Sequence, residues 1–160
     1  MTGSPPLVDT NVLVYLFDAD APEKRRVSKD LLTACWRSET RYSVSAQNLA
    51  EFSVVVTEKV EHPMPVDDVK RFIRDILDFD GWNVVGYGGE TVIRANAIRD
   101  RHRVHFWDAL LAATMIESGI DTIITEDAHL LRVPGITVTN PYVKGERRNA
   151  SGSSPSPPGN

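Results

Sequence analysis

The chain contains a helix that is apolar on almost every face. Residues 108–115 read Asp-Ala-Leu-Leu-Ala-Ala-Thr-Met, follow Phe106 and Trp107, and are expected to end their helix at Gly119, because glycine readily adopts the left-handed conformation that ends many helices. A helix without a polar face is normally buried on all sides, which requires a layered domain. Asp108 then lies at the mouth of the core, where the helix N-terminus favours its charge. It serves either as a helix cap or as part of a site.

Short apolar strands alternate with helices along the rest of the chain. Strands are predicted at residues 7–8, 42–44, 82–85, 122–125 and 136–138. Helices are predicted at residues 11–17, with Thr10 or Asn11 as the cap, and at 22–38, 46–60, 66–77 and 90–101, and one helical turn at 127–131. This alternation favours a parallel sheet with helices on both faces, which is a three-layer α/β domain.

The composition is that of an ordinary globular protein. The 160 residues are 41% hydrophobic and carry a formal net charge of -4, which argues against broad non-specific binding to nucleic acid. Cys35 is the single cysteine, so an internal disulfide and a structural zinc site of several thiolates are excluded. We expect one domain over residues 1–143 and a disordered polar tail over residues 144–160, which is rich in Gly, Ser, Pro and Asn.

Neither a membrane span nor a signal peptide is expected. No stretch approaches the ~20 apolar residues that cross a bilayer. The apolar run at residues 7–17 is interrupted by polar residues and lacks a basic segment and a small-residue cleavage site. We therefore expect a soluble, cytoplasmic protein.

Four acidic residues stand where an α/β sheet could form a site. Asp9 directly follows the first predicted strand, and Asp127 lies just beyond the fourth. Sites in open parallel sheets form outside the carboxyl ends of the strands. Asp108 begins the apolar helix, and Glu51 lies in the helix after the second strand. The helical wheel does not force Glu51 inward, so a solvated charge remains an alternative there, although two neighbouring amide residues suit a polar pocket.

Four carboxylates in one cleft would need a cation. Two unit charges ~4 Å apart repel by about 4 kcal/mol at an effective dielectric constant near 20, so the acids would otherwise be partly protonated. Oxygen ligands without cysteine or clustered histidine favour a hard ion, Mg²⁺ or Mn²⁺, that keeps several waters. Such ions bind phosphates and lower the pKa of a bound water. A cleft of this kind indicates phosphodiester or phosphoryl chemistry.

Four segments carry a resemblance to a known family. They are residues 7–11 (Leu-Val-Asp-Thr-Asn), 45–52 (Ser-Ala-Gln-Asn-Leu-Ala-Glu-Phe), 106–113 (Phe-Trp-Asp-Ala-Leu-Leu-Ala-Ala) and 125–127 (Thr-Glu-Asp). In these segments the chain resembles the PIN-domain family and, within it, the VapC toxin ribonucleases of bacterial toxin–antitoxin pairs. The resemblance covers residues 7 to about 143 and implies a parallel five-stranded sheet flanked by helices. It identifies as metal-binding acids Asp9, Glu51, Asp108 and Asp127, and as polar residues around them Thr10, Asn11 and Thr125.

The resemblance also implies an activity and partners. It implies cleavage of RNA that depends on Mg²⁺ or Mn²⁺, a homodimer, and neutralisation by a small VapB-like antitoxin. The chain departs from the family at Glu126, where many members have Asn or another neutral residue. Whether Glu126 shares the role of Asp127 as the fourth acid therefore stays open.

Basic side chains beside the acids could contact RNA phosphates. The candidate segments are residues 24–26, 70–74 and 99–105. We prefer Arg99, Arg101 and Arg103, because they shortly precede the apolar helix, although a solvated loop explains any single member equally well. We expect His102 and His105 to face solvent rather than to bind metal.

Three other classes of protein are alternatives to the nuclease. Asp9-Thr10-Asn11 resembles the opening of haloacid-dehalogenase-like phosphatases, but those carry a second Asp where this chain has Asn11. A receiver-like binding module needs a Lys after a late strand, and here residues 136–138 are followed by Asn140 and Pro141. A non-catalytic PIN-like binding module is the third alternative, which the presence of all four acids disfavours.

Overall fold

The sheet has five parallel strands and one short antiparallel strand. A computed structural model describes residues 3–144 and 147–149. The strands are β1 (Leu7–Val8), β2 (Tyr42–Ser45), β3 (Trp82–Val85), β4 (Thr122–Ile124), β5 (Thr137–Thr139) and β6 (Arg147–Asn149). They lie in the order β3-β2-β1-β4-β5-β6. Strands β1 to β5 pair in parallel, which confirms the predicted sheet, and β6 runs antiparallel to β5.

The short strand β6 departs from the prediction of a disordered tail over residues 144–160. Arg147–Asn149 pair with Thr137–Thr139 along the edge of the sheet. An edge strand offers unpaired backbone N–H and C=O groups, and pairing with them needs no apolar side chain, so a polar composition does not reveal it. Residues 145–146 and 150–160 lie outside the described residues, and the proposed domain boundary stays a prediction.

Helices cover both faces of the sheet. They are α1 (Thr10–Tyr15), α2 (Pro22–Trp36), α3 (Ala46–Glu58), α4 (Val66–Asp78), α5 (Gly89–His102) and α6 (Phe106–Glu117), with a 3₁₀ helix at His129–Arg132. The predicted α-helices are confirmed, and their bounds differ by at most two residues. Asp9, rather than Thr10 or Asn11, caps α1, because its side chain accepts from the Thr10 N–H. Within the described residues, none of the helices is long and apolar enough to cross a membrane.

Two hydrophobic cores lie on opposite faces of the sheet. Successive side chains of a strand point to opposite faces, and here Leu7 and Ile123 enter the core beneath α5 and α6. Their neighbours Val8 and Ile124 enter the core beneath α1 to α4. This arrangement confirms the predicted three-layer α/β domain.

The apolar helix α6 is buried in its middle and open at its first turn. Every residue from 109 to 115 is buried, whereas Trp107 is 60% exposed. A helix that leads into a parallel strand begins at the edge where the other strands end. Because α6 leads into β4, its first turn brings Asp108 to the carboxyl edge of the sheet.

Candidate functional site

The strand order places a crevice at the ends of β1 and β4. β1 lies between β2 and β4. After β1 the chain therefore continues to β2 and β3 on one side of β1 and later returns to form β4 and β5 on its other side. A crevice at such a point is where open α/β sheets bind ligands. The strands end in register, since Val8 pairs with Ile124 and the Asp9 N–H donates to the Ile124 carbonyl at 3.0 Å. Residues that follow β1 and β4 therefore meet here.

Asp9 is fixed in this crevice by three hydrogen bonds. Its Oδ1 accepts from the Thr10 N–H at 2.8 Å and from Asn48 Nδ2 at 3.2 Å, and its Oδ2 accepts from the Thr125 hydroxyl at 2.7 Å. The pKa of Asp9 is raised from 3.8 to about 6, chiefly by burial and also by the charges of Glu51 and Asp127, against the lowering effect of the hydrogen bonds from Thr125 and Thr10. All three donors are uncharged, so they orient the carboxylate without neutralising it.

Glu51 faces the same crevice, which the helical wheel alone did not predict. Its Oε2 accepts from the Thr10 hydroxyl at 2.9 Å, and its Oε1 accepts from Gln47 Nε2 at 2.9 Å. The rotation of α3 follows from its first turn, where Ser45 and Asn48 form a reciprocal cap. The alternative of a solvated helix charge is therefore wrong for Glu51.

Thr125 joins the two strand ends through its hydroxyl. That hydroxyl donates to Asp9 and accepts from the Asp127 N–H at 3.0 Å and from Asn11 Nδ2 at 2.9 Å. Thr10 and Thr125 thus contact acids directly, and Asn11 reaches them through Thr125. All three residues that the resemblance placed around the acids lie in the crevice.

Asp108 and Asp127 meet across a histidine that the sequence did not single out. His129 Nδ1 lies 3.0 Å from Asp127 Oδ2 and 3.4 Å from Asp108 Oδ2. The His129 N–H also donates to Asp127 Oδ1 at 2.9 Å. The signal available in the sequence was its place two residues after Asp127, where a 3₁₀ turn carries it back over the crevice.

The four acids form one group, which we call the acid cluster: Asp9, Glu51, Asp108 and Asp127. Burial raises the pKa of Asp108, and the charges of Asp127 and Glu51 raise it further, whereas two nearby histidines lower it. Contacts through neighbouring side chains link the four acids into a ring. Gln47 supplies the link between Glu51 and Asp108, because its Nε2 donates both to Glu51 and to the Trp107 carbonyl next to Asp108. The four acids that the sequence singled out therefore converge.

Glu126 points away from the acid cluster and is already paired. Its Oε2 accepts from Lys24 Nζ at 2.7 Å, and its Oε1 accepts from the Tyr15 hydroxyl at 2.5 Å. A carboxylate neutralised by a lysine is a poor ligand for a cation. The geometry therefore favours Asp127 over Glu126 as the fourth acid.

The residues of the crevice fit a hard cation that keeps its waters. Two buried amide oxygens beside the acids, Asn11 Oδ1 and Gln47 Oε1, have no hydrogen-bond partner within residues 3–144 and 147–149, and metal-bound waters could donate to them. In the same described residues, no three His, Cys, Asp or Glu side chains are arranged to hold an ion between them. Mg²⁺ commonly binds one or two carboxylates and keeps several waters, which this arrangement allows.

The predicted basic residues take different positions. Arg103 lies beside Asp108 in a polar cavity, whereas the Arg99 guanidinium lies over the Phe106 ring, 5.8 Å from its centroid. Arg101 is exposed and does not line that cavity. His105 is exposed, as expected, but lines the cavity, and His102 is half-buried rather than solvent-facing.

Comparison with protein families gives one match. The family model described as the PIN domain matches residues 7–136, a span that contains the whole acid cluster. No curated protein sequence matches the chain.

Solved structures share the fold at low sequence identity. A toxin–antitoxin complex from Klebsiella pneumoniae contains a chain that is 23% identical, with 86% of this chain and 98% of that chain covered and a TM-score of 0.57. A chain in the structure of FitAB bound to an IR36 DNA fragment is 19% identical, with 88% of this chain and 97% of that chain covered and a TM-score of 0.62. VapC20 from Mycobacterium tuberculosis, a sarcin–ricin loop cleaving toxin, is 19% identical, with 76% of this chain and 89% of that chain covered and a TM-score of 0.54.

Proposed function

The chain belongs to the PIN-domain family, and we propose that it is a metal-dependent endoribonuclease that hydrolyses phosphodiester bonds in RNA. The observation that carries the proposal is the convergence of Asp9, Glu51, Asp108 and Asp127 through one ring of contacts. A structural neighbour that cleaves the sarcin–ricin loop supports nuclease chemistry. The proposed cofactor is Mg²⁺ or Mn²⁺.

The side chains of the crevice would bind and orient rather than react covalently. A bound divalent ion would supply a water of lowered pKa and shield the charge of the scissile phosphate. The acid cluster would hold that ion, and uncharged neighbours keep the carboxylates in place: Asn48 and Thr125 orient Asp9, and Thr10 and Gln47 orient Glu51. Mutation of such a supporting residue typically lowers metal affinity or activity by about tenfold or more.

Membership of the PIN-domain family disfavours the phosphatase and receiver alternatives. A non-catalytic PIN-like binding module remains the rival. A half-buried carboxylate with a raised pKa, such as Asp9, costs stability when ionised. A module used only for binding would have no need to keep four acids together in one crevice, so their presence there supports catalysis.

The decisive test is cleavage of total cellular RNA by purified, partner-free protein. We expect discrete products with Mg²⁺ or Mn²⁺, none with EDTA, and none from Asp9→Asn with either metal. Asp121→Asn is the matched control, because Asp121 is exposed at the opposite, amino end of β4. Native-rate cleavage by Asp9→Asn would refute the assignment of the site, and no cleavage with any metal would favour the binding module.

We also propose that a small VapB-like antitoxin controls the enzyme by covering the acid cluster. Support comes from the structural neighbours that are toxin–antitoxin complexes. An arginine of the antitoxin inserted among the carboxylates would form charge-assisted hydrogen bonds with them. A pull-down from the native host should recover a small partner, and its loss after Asp108→Asn would support contact at the cluster. Recovery of no small protein would count against this proposal.

Two further features complete the proposal. Cytoplasmic action fits an RNA substrate. A homodimer is supported by exposed Ile93 and Ile116 on α5 and α6, helices that are joined by the hydrogen bond from Thr91 to Glu117. Light scattering should give the mass of a dimer for the wild type and a smaller mass for Ile93→Lys; a monomeric wild type would refute the homodimer.

A further inference from the structure

A polar cavity adjoins the acid cluster on the side of α5 and α6. It has a volume of about 220 Å³ and is lined by Arg103, Val104, His105, Asp108, His129 and Arg132. Asp108 belongs to the acid cluster, and His129 contacts two of its members. A molecule that occupies the cavity would therefore lie directly beside a group held at the acids.

Two arginines from different elements also line the cavity. Arg103 ends α5, and Arg132 ends the 3₁₀ helix; Arg132 Nη1 donates to the Arg103 carbonyl at 3.0 Å. This bond joins the two segments, and within the described parts of the chain the other guanidinium nitrogens of Arg132 have no hydrogen-bond partner. Both side chains are exposed rather than packed away.

These arginines lack the carboxylate partners that some other arginines of the chain have. Arg26, Arg71 and Arg94 each lie within 3.4 Å of a carboxylate oxygen. Within residues 3–144 and 147–149, neither Arg103 nor Arg132 has an acid at salt-bridge distance. Among the described residues, no carboxylate is therefore close enough to form an ion pair with either guanidinium.

The backbone at Arg103 is unusual for a residue with a side chain. Its φ of 53° and ψ of 48° are left-handed, a conformation that glycine usually supplies at the end of a helix. An arginine here keeps a guanidinium at the cavity at the expense of backbone strain.

We infer that this cavity binds a phosphate of the RNA strand, one that adjoins the scissile bond, through Arg103 and Arg132. The inference rests on the proposed function and adds a subsite to it. The planar guanidinium matches the oxygens of a phosphate in a bidentate arrangement. A phosphodiester strand suits this combination, because one phosphate would lie at the acid cluster and a neighbouring phosphate would meet the arginines. Of the three predicted RNA-binding arginines, the structure thus selects Arg103 and adds Arg132.

Binding can be measured apart from cleavage in the Asp9→Asn background. The probe is a short, fluorescein-labelled single-stranded RNA of mixed sequence, titrated at several salt concentrations. We expect Arg132→Gln and Arg103→Gly each to weaken binding by about tenfold, as for the loss of one charge-assisted hydrogen bond. The plot of log affinity against log salt concentration has a negative slope, which should become less steep by about 0.7 for each phosphate that the protein no longer neutralises. Arg103→Gly suits the left-handed backbone, so it tests the side chain without straining the fold.

Arg41→Gln is the matched control. Arg41 is exposed and, like Arg132, donates to a backbone carbonyl, that of Asp80 at 3.2 Å, but it lies at the amino edge of the sheet. We expect this variant to bind RNA as tightly as the Asp9→Asn parent. A neutral methylphosphonate oligonucleotide of the same sequence should bind weakly and should not distinguish Arg132→Gln from its parent, because the phosphate charge is what the arginines recognise.

The possible failures are distinguishable. If Arg132→Gln and Arg103→Gly bind RNA like the Arg41→Gln control, the cavity is not a phosphate subsite, even where metal-dependent cleavage stands. If these variants bind RNA normally but lose a co-purifying small protein, the cavity binds an acidic partner segment instead, and the inference is overturned. If Asp9→Asn cleaves RNA at the native rate, the proposed function fails independently of the cavity.

Discussion

The half-buried carboxyl group of Asp9 should make the metal-free protein less stable as the pH rises. Its pKa is about 6 in the folded state against an ordinary 3.8, so between these values the folded state binds more protons than the unfolded chain, and stability falls with rising pH. The full difference between these two pKa values corresponds to about 3 kcal/mol in the free energy of unfolding. Of this, about 1.4 kcal/mol is lost between pH 5 and pH 8. The raised pKa of Asp108 acts in the same direction.

Asp9→Asn removes the charge and should remove most of this pH dependence. The variant also loses an acceptor, because the Thr125 hydroxyl now donates to Asp9 Oδ2, and leaving that hydroxyl unsatisfied costs about 1–3 kcal/mol. We therefore expect the metal-free variant to gain no more than about 2 kcal/mol over the wild type at pH 8. At pH 5 the gain should be smaller by about 1.4 kcal/mol and can become a loss.

Urea unfolding in EDTA at pH 5 and pH 8 measures both proteins under the same conditions, and the difference between them isolates Asp9 from other titrating groups. Saturating Mg²⁺ at pH 8 should stabilise the wild type, by about 2.7 kcal/mol at a concentration 100 times the dissociation constant, and should leave the variant unchanged. Asp121→Asn, an exposed acid, should behave like the wild type. If the wild type and Asp9→Asn differ equally at the two pH values, the carboxyl group is not buried among acids and the reasoning fails.

Four further variants test other parts of the site and the core. Glu126→Gln should keep RNA cleavage, because Glu126 is paired with a lysine, whereas Asp127→Asn should abolish it; loss of cleavage in both would mean that the two acids share the fourth position. Asn48→Ala should lower the free energy of unfolding by about 1–3 kcal/mol in a urea titration and reduce cleavage, because Asn48 both caps α3 and binds Asp9. Leu110→Ala, in the middle of α6 and 1% exposed, should cost about 2–5 kcal/mol; a smaller loss in thermal unfolding would contradict its place in the core.

The elements of the fold were predictable because their signals are local. A proline at the start of α2 and the glycine after α6 mark helix ends within a few residues of sequence. The positions of Asp9 and Asp127 followed from the strand-end rule, since adjacent parallel strands end at one edge. The strand β6 escaped prediction because its pairing depends on backbone groups of β5 rather than on its own side chains.

The residues that sequence reasoning left uncertain depend on rotations that no local pattern encodes. Glu51 turns inward because the cap at Ser45 and Asn48 and the packing of Phe52 set the rotation of α3. His129 and Arg132 sit in a 3₁₀ turn, where a one-residue change of register would redirect both side chains. Their contacts with Asp108, Asp127 and the end of α5 emerge only when separate segments meet.

The chemistry of the donors around the acid cluster explains how it can remain available for a cation. Hydroxyl and amide groups of Thr10, Asn48 and Thr125 hold the carboxylates in place but leave their charge intact. A lysine in their position would neutralise the carboxylate permanently, as Lys24 does for Glu126. Basic side chains that bind the substrate must therefore lie beside the acid cluster. They must be close enough to contact a neighbouring phosphate but too far away to form salt bridges with the acids. We propose this role for Arg103 and Arg132, which line the adjoining cavity together with Asp108.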